Sequence, residues 1–121
     1  MKRLICAIFF IGSLGCCAED FEGFKVGGFT TLENDLGKWT SSEGHAEIHG
    51  AHAKGGKQSL LFLGGANHAA ELNLKEETAE ELVLSFWAER WTSRDPFSFR
   101  LEEKRGGEWS EIYDGDSKIR V

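Results

Sequence analysis

"TAEELVLSFWAERW", residues 78–91, can be read as a helix or as a strand, and the choice decides the fold class. As a helix, Thr78 and Glu81 would form a capping box, with Val83, Phe86, Trp87, Arg90 and Trp91 on one face. As a strand, Leu82, Leu84, Phe86 and Ala88 line one side, while Val83, Ser85, Trp87, Glu89 and Trp91 line the other. The strand explains why the polar Ser85 and Glu89 interrupt the apolar run on one side only. It also matches the segments around it.

Those segments come in short apolar bursts between glycine or charged turns, the cadence of a sandwich or barrel. "GHAEIHG" (44–50) sets Ala46 and Ile48 against His45, Glu47 and His49. "QSLLFL" (58–63) is almost wholly apolar, and "AAELNL" (69–74) puts Ala70, Leu72 and Leu74 together. "FSFRLEEK" (97–104) sends Phe97, Phe99 and Leu101 inward, after Pro96 at the strand entrance. "KRGGEW" then supplies a hairpin turn into Trp109–Tyr113, and a last strand begins at Lys118. The expectation is an all-β, two-sheet antiparallel sandwich with Phe86, Phe99 and Leu101 in its core. No GxGxxG or P-loop pattern occurs.

The N-terminus has a different logic. Lys2 and Arg3, the apolar run Leu4–Leu14, and small residues before Glu19 and Asp20 form the three parts of a secretory signal. Cleavage after Ala18 divides the chain into a signal peptide, 1–18, and a domain, 19–121. The apolar run is too short for a transmembrane helix. One alternative is a buried N-terminal strand, against which the charges in front and the hydrophobic density argue; another has Cys16 lipidated, as in bacterial lipoproteins. Processing removes Lys2, Arg3 and all three cysteines, so net charge moves from −6 to −8 and no disulfide remains. Such a negative surface argues against nucleic acid as a partner.

"DFEGF", "LGKW", "HAEIHGAHAKGGKQSLLFLGG" and "LSFWAERW…PFSF" resemble the N-terminal β-sandwich module of secreted bacterial sialidase-like proteins. They are similar, more loosely, to jelly rolls of the MAM and laminin-G/concanavalin type. The resemblance implies a jelly roll, incomplete because the chain stops inside an apparent strand. It also implies a downstream catalytic domain in full-length relatives. Sialidase propellers repeat Ser-x-Asp-x-Gly-x-x-Trp boxes, whereas "SRDPFSF" lacks the glycine and tryptophan and does not repeat. Arg90, Arg94, Arg100 and Tyr113 do not map onto a sialidase arginine triad and nucleophile.

Four groups of residues are candidates for a site. Trp87 and Trp91 fall on one strand face about 13 Å apart, with Glu89 between them. That suits stacking on successive sugar rings and hydrogen bonding to hydroxyls, although indoles packed inside a sandwich would look the same. Arg90, Arg94 and Arg100 would either clamp a carboxylate or pair with Glu102, Glu103 and Asp95 on the rim, or lie over Trp91. His45, His49 and His52 lack zinc spacing and should face solvent, and His68 stands alone. Asp20 and Glu22 are candidate ligands for a structural calcium, needing help from loops such as Asp114 and Asp116, because calcium takes six to eight oxygens. The sequence thus predicts a secreted, non-catalytic accessory module of a sialidase-like or other glycan-active protein, with the Trp87–Trp91 region as its candidate carbohydrate-binding face. The alternative is a structural or protein-interaction scaffold with no small-molecule ligand.

Overall fold

The computed structural model describes residues 4–12, 15–53, 55–75, 82–90, 93–94 and 97–121, with side chains from Glu19 onward except at 82–85 and Arg105. Its strands are β1 (Leu4–Gly12), β2 (Gly15–Glu19), β3 (Gly27–Gly28), β4 (Thr31–Glu33), β5 (Gly37–Ser41) and β6 (Ala46–His49). β7 (Ser59–Phe62), β8 (Ala70–Leu74), β9 (Leu82–Arg90), β10 (Arg100–Arg105) and β11 (Glu108–Asp114) complete the set. No helix among the described residues is long and apolar enough to cross a membrane.

Residues 82–90 form a strand, and the chain is all-β. Three antiparallel sheets form where two were expected, in a loosely sandwich-like arrangement. The largest runs β2-β1-β7-β6-β3, with β9 also on β1; the second is β4-β5-β8, and the third is the hairpin β10-β11. β9 pairs β1 along its whole length, Leu4↔Arg90 to Gly12↔Leu82. The opposite edge of β1 is therefore shared, by β7 at Leu4–Cys6 and by β2 at Ile8–Gly12.

The core lies between the first two sheets. On β6, Ala46 and Ile48 are buried while Glu47 and His49 are only partly covered, as alternation requires. They stand opposite Phe62 and Leu60 of β7. The facing sheet contributes the cross-strand row Leu32–Trp39–Leu72, with Trp39 buried and the two leucines packed against the cluster. Phe21, from the loop after β2, closes the core with its ring 5.6 Å from that of Trp39.

The three residues expected in the core lie at its margin instead. Phe86, Phe99 and Leu101 are half-buried. Phe86 meets Tyr113 edge-on at 5.2 Å and Phe99 at 6.2 Å, an arrangement that joins the third sheet to the first. The strand expected from Phe97 starts only at Arg100, because the Phe99 N–H is taken by Asp116 rather than by a neighbouring strand. The turn after β10 is the expected one, with Gly106 and Gly107 at φ 59° and 84° between the paired Arg105 and Glu108. Both left-handed positions of a type I′ hairpin are thus filled by glycine. No strand forms at Lys118. Lys118 and Ile119 donate back to the Gly115 carbonyl, and Ile119 is buried.

Candidate functional site

Parity along β9 decides what its polar and aromatic residues can do. Phe86 turns toward the core, so Trp87 and Glu89 share the opposite face, about 7 Å apart along the strand. Trp87 is 56% exposed and Glu89 is exposed. An indole open to solvent beside a carboxylate offers a flat apolar surface and a hydrogen-bond acceptor. Trp91, the second indole of the expected platform, lies outside the described residues, as does Asp95.

Arg90 and Arg100 do not join this face. Arg90 has the parity of Phe86, and its guanidinium stands 4.2 Å from the Phe97 ring centroid while Nη2 donates to the Arg94 carbonyl at 3.0 Å. Arg94 is exposed in the following loop. Arg100 does not meet Glu102 or Glu103. Its partners are Glu111 at 2.6 Å, Asp114 at 3.0 Å, and Asp116. The bulge between Leu101 and Glu102 and the pairing of Arg100 with Asp114 swing the guanidinium toward the far strand and its turn. The Arg100 hydrogen bond, with help from the Phe99 N–H, holds the Asp116 carboxyl below its ordinary range.

The residues considered for calcium are held in the same way. Asp20 Oδ1 accepts from the Glu22 N–H at 3.0 Å, and Glu22 Oε1 accepts from the amides of Lys57 and Gln58. Asp114 and Asp116 belong to Arg100. A cleft of about 290 Å³ at this end is lined by Glu19, Asp20, Glu33 and Asp35 among others. Glu33 pairs with Lys75 at 3.4 Å, and no group of three potential metal ligands converges among the described residues.

The histidines are not simply solvent-facing. His45 stacks on His68 at 4.3 Å, and His49 on His52 at 6.1 Å. His68 Nδ1 donates to the Leu63 carbonyl at 2.7 Å, while His45 Nδ1 accepts from Ala69 at 3.4 Å. His45, His49 and His68 are accordingly half-buried, with only His52 exposed.

The most organised polar group is one that spacing does not announce. Glu19 is 2% exposed. Its Oε1 accepts from Trp39 Nε1 at 2.8 Å and Asn34 Nδ2 at 2.9 Å, and its Oε2 from Asn34 Nδ2 at 3.1 Å and the Phe21 N–H at 3.3 Å. Asn34 Oδ1 meanwhile accepts from Leu36 and Gly37. This is an Asx turn that "NDLG" at 34–37 signals in sequence. The carboxylate ties the end of β2 to β5, and it works as a structural hub.

Comparison with family models, curated proteins and solved structures found no match to this chain.

Proposed function

We propose that this chain is a secreted, non-catalytic β domain that serves as a structural or protein-interaction scaffold. The observation that carries the reading is where the described polar side chains go. Glu19, Asp20, Glu22, Arg100, Asp114 and Asp116 all close turns and tie strands, so each is engaged in holding the fold. Export rests on the signal-like N-terminus, with lipidation at Cys16 as its variant. Membership of sialidase-like or other glycan-active proteins rests on the resemblance in sequence.

One observation favours the glycan-binding form of the proposal: Trp87 is exposed on the same face as Glu89. Stacking of one sugar ring on one indole gives weak affinity, because much of the sugar stays hydrated. The two readings part in a titration of an oligosaccharide panel against wild type and W87A, followed by tryptophan fluorescence. The scaffold reading expects no emission change at millimolar sugar. A shift that W87A abolishes would establish the glycan site in its place. Turnover of a fluorogenic sialoside by the purified chain would overturn both.

A further inference from the structure

The segment that reads as a secretory leader occupies the middle of the largest sheet, and its removal would leave a gap of defined shape. Cleavage after Ala18 would take β1 and all of β2 except Glu19. β9 would lose its partner at nine positions and β7 at three. The Arg90 N–H bonds the Arg120 carbonyl, so that amide lies on the edge of β9 away from β1. Backbone groups alternate between edges in an antiparallel ladder. Val83, Ser85, Trp87 and Glu89 therefore aim their N–H and C=O groups into the gap. Unpaired groups along a strand of this length are a template for another strand.

We propose that this gap is a strand-acceptor site, filled in the processed protein by an extended segment of a different polypeptide. The proposal rests on leader removal and gives the scaffold reading its partner. The register fixes the chemistry of the guest. Positions 4, 6 and 8 stand opposite Arg90, Ala88 and Phe86, and positions 4 and 6 also stand opposite Phe62 and Leu60. These are the core-side rows, shared with Ala46 and Ile48 on β6, and call for apolar residues. Position 5 is different. Its row runs Glu47–Leu61–position 5–Glu89, so the buried Leu61 stands on one side of it and the exposed Glu89 carboxylate on the other. Position 7 faces the exposed Trp87. The fitting guest is apolar at alternate positions and basic between them, which also suits a domain at −8. The leader is apolar at both parities, as a signal core must be, and offers the Glu89 carboxylate no countercharge.

The test uses the exported protein, with its N-terminus read by intact mass. The probe is the peptide of residues 4–12 carrying Ile5→Lys, Cys6→Val, Ala7→Thr, Phe9→Thr and Ile11→Lys. With Glu19 as first residue, the peptide should slow hydrogen exchange at Val83, Ser85, Trp87 and Glu89 by about tenfold or more. Ile5→Glu in place of Ile5→Lys should weaken binding about tenfold. A peptide with apolar and polar parities exchanged should not bind, because a one-residue slip turns every side chain to the wrong face. Retention of Met1 would overturn the leader reading and the proposal together. A Glu19 N-terminus with those amides already protected in the monomer, or with equal binding of the parity-exchanged peptide, would overturn the proposal alone. Protection arising from a dimer through β9 would also overturn it, by giving the gap to a second copy.

Discussion

Replacing Glu19 by glutamine changes one oxygen to an amide nitrogen and tests whether the hub works as described. A carboxylate presents two acceptor oxygens, whereas glutamine presents one acceptor and a two-proton donor. The Glu19 site supplies donors to both oxygens: Trp39 and Asn34 on one, Phe21 and Asn34 on the other. Asn34 cannot turn its amide around to help, because its oxygen already accepts from Leu36 and Gly37. Either placement of the glutamine amide therefore sets donor against donor. The cheaper one sacrifices the 3.3 Å bond from Phe21 and keeps the 2.8 Å bond from Trp39. A buried donor left unmatched costs about 1–3 kcal/mol, so E19Q should destabilise by about 2 kcal/mol. Urea denaturation at pH 7, followed by tryptophan fluorescence on proteins with identical N-termini, measures it. The sharper check is N34D in the E19Q background. A carboxylate at position 34 can accept from the new amide while still capping Leu36 and Gly37, and should restore about 1 kcal/mol. An unchanged midpoint in E19Q, or a double variant no better than the single one, would refute the hub.

Three further outcomes follow from the geometry. Arg100→Ala should raise the pKa of Asp116 toward the ordinary carboxylate value, read by NMR titration. Since folding lowers that pKa, the stability tied to it is present above the unfolded value and is lost as pH falls through the folded one. Gly37→Ala should destabilise by about 1–3 kcal/mol, because the new Cβ would collide with the Asn73 carbonyl oxygen and push β5 off β8. Thermal melts should show it. Phe86→Ala should cost about 2–4 kcal/mol through its lost contacts with Phe99 and Tyr113, whereas W87A at an exposed position should move stability by about 0.5 kcal/mol or less.

Legibility in the sequence follows whether a feature has a local period. Alternation marks β6 and β9 as strands because each has a distinct inner face, and it places Trp87 and Glu89 together on the outer one. The two glycines of the β10–β11 turn are equally plain, since only that residue suits both left-handed positions. The Glu19 hub is silent, because hydrogen bonds from Asn34 and Trp39 span 15 and 20 residues and leave no spacing signal. The partners of Arg100 escape for a related reason, as a bulge shifts register without altering composition. Residues 4–12 expose a deeper limit. An apolar run suits a signal core and equally a strand buried on both faces, and hydrophobicity alone cannot separate the two. Pairing can. β7 is buried along Ser59–Leu61, and the core cluster includes Leu60 while Phe86 of β9 packs against it. A sheet holding β7 and β9 in that relation needs a strand between them, and in this structure residues 4–12 supply it.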